Sequence, residues 1–135
     1  MTRKLTCIML VDDNDDDNYF HERAIKQLSL KATVITKNTG QEGLTYLKLQ
    51  KYNNDPQPDL IFLDINMPGM NGWEFLQEYN QLDKGLQSQA IIIMLTTSQD
   101  SKDIEMASSW NFVSDFITKP LTKAKMNAVA NKYFN

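Results

Sequence analysis

Several short apolar runs in this chain hand over directly to residues that can do chemistry. Leu5–Val11 runs into Asp12-Asp13, Leu60-Ile61-Phe62-Leu63 into Asp64, Ile91–Leu95 into Thr96-Thr97-Ser98, and Phe112–Thr118 into Lys119-Pro120. If folding brings those ends together, three carboxylates, a hydroxyl and an ammonium share one small patch. Two like charges about 4 Å apart repel by roughly 4 kcal/mol at an effective dielectric near 20. That is a large fraction of the roughly 5–15 kcal/mol that holds a domain together. Lys119 can offset one carboxylate, and a hard divalent cation bound through oxygens is the natural source of the rest. With one His and one Cys in the chain, zinc or a soft metal is a poor fit. Magnesium suits the set, because it takes one or two carboxylates and leaves room for water and phosphate oxygens. A carboxylate beside such a cation can attack phosphorus to give an aspartyl phosphate. The charge that spreads in phosphoryl transfer would then be met by the metal, by Lys119 and by the Thr96 hydroxyl.

The elements that must carry these residues can be read from the pattern. Leu5–Val11 reads as a buried strand, Ala32–Thr36 as a β-branched one, Leu60–Leu63 and Ile91–Leu95 as a third and fourth, and Phe112–Thr118 as a weaker fifth. Between them lie helical spacings: Phe20, Ala24 and Leu28 with Tyr19 and Ile25 beside them; Leu44 and Leu47; Trp73, Leu76, Tyr79 and Leu82; Ile104 and Ala107 with Trp110; and Leu121, Ala124, Ala128, Val129 and Tyr133. Asp residues suit the start of the first helix. Tyr52–Pro58 is a loop by composition, and Asn66–Gly72 is a turn-rich one. Five β–α units in order, with strands 1, 3 and 4 apolar on both faces, predict a parallel sheet covered by helices, the doubly wound α/β class. In such folds ligands bind outside the carboxyl ends of the strands. All the residues singled out above lie there.

Composition narrows the remaining classes. At 135 residues, 41% hydrophobic and 23% charged, the chain fits one globular domain and excludes a disordered or fibrous one. The longest apolar run, Ala90–Leu95, is too short to cross a bilayer, and the N-terminus lacks the pattern of a secretion signal. A lone Cys7 cannot form an internal disulfide, which points to the cytoplasm. A net charge of −3 argues against direct binding of nucleic acid. The charge is uneven: five of the six residues Asp12–Asp17 are Asp, whereas Phe116–Asn135 carries four lysines and no acid.

The set Asp12-Asp13, Leu63-Asp64-Ile65-Asn66-Met67-Pro68-Gly69-Met70-Asn71-Gly72, Leu95-Thr96-Thr97 and Thr118-Lys119-Pro120 resembles the receiver domain of two-component response regulators, of the CheY-like kind. The resemblance covers the whole chain, and four motifs in the right order make it specific. It implies a flavodoxin-like (βα)5 sandwich with strand order 2-1-3-4-5 and a single receiver domain over residues 1–135. It further implies that Asp64 is the phosphoacceptor, charged by a sensor histidine kinase or a phosphotransfer protein. Asp13 would coordinate Mg²⁺ directly (Mn²⁺ could substitute), Asp12 would act mainly through water, and Asn66 would lend its backbone carbonyl. Lys119 would pair with Asp64 and then with the phosphate, with a cis bond to Pro120. Thr96 and Phe116 would form the switch, with Thr97 as the neighbouring alternative, because the stretch from Thr96 to Lys119 is about one residue longer than usual. Asn66 and Ser98 would tune the attack of water on the phosphoryl group.

The expected protein is therefore not an enzyme in the ordinary sense, since it catalyses only its own phosphorylation and dephosphorylation. With the chain ending at Asn135, after the fifth helix, a stand-alone receiver is expected. Its signal would leave through the face formed by helix 4, strand 5 and helix 5, to an unknown downstream protein, as a monomer or a phosphorylation-dependent dimer. An alternative is a small aspartyl-nucleophile phosphohydrolase, which Asp64-Ile65-Asn66 weakly resembles, although a second catalytic Asp and a cap domain are missing. A third is a degenerate receiver that binds partners without being phosphorylated. Asp15, Asp16 and Asp17 are expected to cap the first helix or face solvent, and His21 to lie on the surface. Cys7 reads as core, and Trp73 and Trp110 as partly buried helix residues.

Overall fold

The computed structural model describes residues 4–50, 52–82, 90–97, 101–110 and 113–134. The elements run β1 (Cys7–Val11), α1 (Asp15–Lys26), β2 (Thr33–Lys37), α2 (Gly40–Leu49), β3 (Leu60–Leu63), α3 (Gly72–Tyr79), β4 (Ile91–Thr96), α4 (Ser101–Ser108), β5 (Val113–Thr118) and α5 (Lys123–Tyr133). The strands form one sheet in the order β2-β1-β3-β4-β5, and every neighbouring pair is parallel. Phe112, placed at the start of the fifth strand by its sequence, lies outside the described residues.

The apolar runs are continuous because both faces of the central strands are covered. Along a strand successive side chains point to opposite faces. Met9 and Val11 of β1 accordingly join a core with Leu44, Phe75, Leu76 and Ala107 from α2, α3 and α4. Ile8 and Leu10 join another with Ile25 of α1 and Met126 and Val129 of α5. Burying β1, β3 and β4 on both sides leaves their carboxyl ends as the place where polar residues can emerge.

Four of the helices start on side-chain caps. Asn14, Thr39, Asn71 and Thr122 each accept a hydrogen bond from a backbone N–H in the first turn of α1, α2, α3 and α5. Asn71 and Glu74 complete a reciprocal capping box, which satisfies two N–H groups that the helix itself cannot.

The inner face of α1 differs from the expected stripe. Asn18, His21, Ala24 and Ile25 are buried, whereas Tyr19 and Phe20 are exposed and pack edge to face with ring centroids 5.5 Å apart. His21, expected at the surface, is only 2% exposed. The helix is rotated so that polar Asn18 and His21 lie beneath the acidic end of the sheet, a demand that hydrophobic periodicity does not register.

Candidate functional site

The backbone ladder continues one residue beyond the strands. The Asp12 N–H donates to the Lys37 carbonyl at 3.0 Å, the Asp64 N–H to the Val11 carbonyl at 3.0 Å, and the Lys119 N–H to the Thr96 carbonyl at 2.7 Å. Three candidate side chains thus begin from positions anchored by the sheet. Asp12 is held further, because its Oδ1 accepts from the Asn14 N–H at 3.0 Å and its carbonyl from the Asn18 amide at 2.9 Å.

Oxygens of Asp12, Asp13 and Asp64 all lie within 4.8 Å of one another. Asp12 and Asp64 are buried, at 4% and 6% exposure, while Asp13 is exposed. The Lys119 ammonium enters the cluster 2.6 Å from Asp12 Oδ2, 2.9 Å from Asp17 Oδ2 and 3.5 Å from Asp64 Oδ1. Burial, and then the Asp12 charge, push the Asp64 carboxyl up from 3.8 to about 6, against the pull of Lys119. Burial disfavours the charged Lys119, yet its bonds to Asp12 and Asp17 and the nearby Asp64 hold its pKa above the ordinary lysine value.

The loop after Asp64 folds back tightly on it. Gly69 takes φ +80, a left-handed conformation that favours glycine. The Gly72 N–H donates to the Ile65 carbonyl at 2.8 Å, and a Cβ on Gly72 would sit 2.7 Å from the Asp64 carbonyl oxygen. Asn66, two residues past Asp64, is exposed on this loop.

Thr96 is fully buried at the end of β4, in register with Thr118, and Thr97 beside it is exposed. The pairing advances from Ile92↔Val113 to Ile93↔Asp115, so β5 carries one extra residue. A bulge of this kind absorbs an added residue without disturbing the register beyond it, which accounts for the longer stretch between Thr96 and Lys119. Phe116, opposite Met94, is half-buried against the core on the α2–α4 side. The peptide bond between Lys119 and Pro120 is cis. Ser98 lies outside the described residues.

One member of the cluster escaped the sequence reading. Asp17, expected to cap a helix or face solvent, is ion-paired with Lys119; the cap is Asn14, and Asp15 accepts from the Asn38 amide at 2.7 Å. Helical side chains lean back toward the N-terminus, so a carboxylate in the first turn of α1 can reach over the strand ends. That lean was the available signal.

The donor set suits a divalent cation. The clustered ligand atoms of Asp12, Asp13 and Asp64 are all carboxylate oxygens, and the Lys119 ammonium is shared among Asp12, Asp17 and Asp64. The excess of buried negative charge is what a hard cation would offset.

A family model described as the response regulator receiver domain matches residues 8–131. The chain belongs to this family. Among its relatives, the response regulator Rcp1 of Synechocystis is 32% identical over 113 residues, covering 83% of this chain and 75% of Rcp1. A two-component response regulator from Cytophaga hutchinsonii superimposes with a TM-score of 0.84 at 29% identity, covering 97% of this chain and 98% of that one. The phosphorylated cyanobacterial phytochrome response regulator RcpA gives a TM-score of 0.79 at 28% identity, over 96% and 94% of the two chains. The Mn²⁺-bound form of Rcp1 gives 0.75 at 28% identity, over 93% and 90%. Some relatives are far longer: the receiver chain spans 14% of the sensor histidine kinase CheAY of Helicobacter pylori, with 28% identity over 125 residues. Receiver domains are signalling domains that interact with histidine kinases or phosphotransfer proteins. No described helix of this receiver is long and apolar enough to cross a membrane.

Proposed function

We propose that this receiver accepts a phosphoryl group on Asp64 from a histidine kinase or phosphotransfer protein, in a Mg²⁺-dependent reaction, and thereby switches a protein-binding surface. The observation that carries this reading is the approach of the Asp12, Asp13 and Asp64 oxygens to within 4.8 Å of one another beside the partly buried Lys119. An Asp64 oxygen attacks phosphorus; the new O–P bond forms as the P–N bond of the phosphohistidine breaks, and the imidazole leaves with the electron pair. Asp13, Asp64 and the Asn66 carbonyl would hold the cation, and Asp12 would act through water. Bound Mg²⁺, or Mn²⁺ in its place, would neutralise charge on the phosphoryl oxygens.

Lys119 moves its charge from the carboxylates onto the phosphoryl group, and the Thr96 hydroxyl bonds a phosphoryl oxygen. In this reading Thr96 is favoured over Thr97 by its burial at the strand end. Phe116 follows Thr96 by packing alone, since it has no hydroxyl. Asn66 and Ser98 set the rate at which water removes the group. The chain acts as one receiver unit over residues 1–135, and catalyses only its own phosphorylation and dephosphorylation. Phosphorylation biases a two-state equilibrium that a downstream partner reads on the α4–β5–α5 face, with or without dimerisation. A cytoplasmic setting fits the lone Cys7, which is buried in β1.

The test is intact-mass analysis after incubation with acetyl phosphate. One phosphoryl adduct is expected with Mg²⁺, none after chelation, and none in Asp64→Asn. Labelling that persists in Asp64→Asn, or no labelling of the wild type, contradicts the assignment. The phosphohydrolase alternative is not favoured by the family match, and sustained turnover of para-nitrophenyl phosphate would be needed to revive it.

A further inference from the structure

Lys119 does not serve Asp64 alone. Its ammonium lies 2.6 Å from Asp12 and 2.9 Å from Asp17, but 3.5 Å from Asp64. The Asp17 contact, at 2.9 Å, is a charge-assisted hydrogen bond of ordinary length; the Asp12 contact is a close ion pair in which Oδ2 accepts no hydrogen bond, and the third contact is loose. The partners also differ in their access to water: the Asp12 and Asp64 side chains are 5% and 8% exposed, and that of Asp17 is 36% exposed. Asp17 is itself fixed in the first turn of α1, where its N–H donates to Asn14 Oδ1 at 3.0 Å.

We propose that Asp17 is a positioning residue, which holds the Lys119 ammonium off the Asp64 nucleophile until a phosphoryl group arrives. The proposal rests on Asp64 being the phosphoacceptor. Without the Asp17 charge, the carboxylates left in contact with the ammonium, among the described residues, are Asp12 and Asp64. Lys119 then closes the 3.5 Å gap and bonds the very oxygen that has to attack phosphorus, which lowers its nucleophilicity. With Asp17 present, transfer of the ammonium to the phosphoryl oxygens is inexpensive, because water can replace it at the wetter carboxylate.

The test uses the full chain as wild type, Asp17→Asn, Lys119→Gln and the double variant. The rate of phosphoryl uptake from acetyl phosphate at saturating Mg²⁺ is read by intact mass. Asp17→Asn is expected to slow uptake about fivefold when Lys119 is present and to change nothing in the Lys119→Gln background. A second readout needs no phosphodonor: the ¹H–¹⁵N signal of the Lys119 ammonium, assigned by its loss in Lys119→Gln, should move in Asp17→Asn. Equal slowing in both backgrounds would show that Asp17 acts independently of Lys119, and it overturns the proposal. So does an unchanged or faster rate in Asp17→Asn, or an unmoved ammonium signal. A wild type that takes up no phosphoryl group sinks the phosphoacceptor reading and this proposal with it. That failure is recognisable because it appears before any substitution is made.

Discussion

Asp59 and Asp64 bracket the same short strand, β3, and their surroundings treat them in opposite ways. At the N-terminal end, one oxygen of Asp59 accepts from the Thr6 N–H at 2.8 Å, the Thr6 hydroxyl at 2.7 Å and the Cys7 N–H at 3.1 Å. That carboxylate is bonded into the start of β1 and has a structural task. At the C-terminal end, Asp64 meets two more carboxylates and one ammonium 3.5 Å away. Its demand for positive charge is left partly unmet by the protein. Residue type and burial alone therefore do not mark a functional acid; the mark is a carboxylate whose partners fall short of what its burial requires.

The comparison can be broken at either end of β3. The largest effect is expected from Gly72→Ala, whose new Cβ would meet the Asp64 carbonyl oxygen at 2.7 Å and the Ile65 Cα at 2.9 Å. Backbone atoms cannot step aside, so a loss of about 3 kcal/mol is expected by urea denaturation, together with disturbed resonances around Asp64 and none around Asp59. A smaller loss, about 2 kcal/mol, is expected for Asp59→Ala, which strips three donors of their charged acceptor. Phosphoryl uptake should survive that change; its loss would mean that the two ends are not separable.

Asp64→Asn should act in the opposite direction, and more weakly. A carboxyl whose pKa rises from 3.8 to about 6 on folding binds its proton more tightly in the folded chain. Its contribution to stability is whole below pH 3.8 and is lost as the pH rises through about 6. At pH 7 without a cation the ionised group is a burden, and its removal should stabilise the fold by about 1 kcal/mol, with solvent screening allowed for. At pH 4 the gain should vanish. Equal urea midpoints for the two proteins at pH 7 would contradict this account of Asp64.

Much of this division was legible in the sequence. Runs such as Leu60–Leu63 and Ile91–Leu95 are apolar throughout, and a strand covered on both faces needs that pattern, so the strands and the polar residues after them could be found together. The inner face of α1 could not, because it buries Asn18 and His21 while Tyr19 and Phe20 face outward; a polar demand there outweighs hydrophobic periodicity. Asp17 was hidden for a related reason. In a run of five Asp within six residues, composition does not say which side chain leans over the sheet and which meets water. The bulge in β5 was visible only as one surplus residue between Thr96 and Lys119, and strand pairing had to show where that residue went.

The carboxyl end of the sheet, and not its amino end, is where a divalent cation is expected to bind, beside Asp64. The most direct measurement is a Mn²⁺ titration followed by paramagnetic broadening of the backbone amide signals. The account requires saturable broadening that starts at Asp12, Asp13 and Asp64–Asn66, spares Thr6, Cys7 and Asp59, and weakens in Asp13→Asn. Broadening that begins near Asp59, spreads evenly over the acidic surface, or is untouched by Asp13→Asn would contradict it.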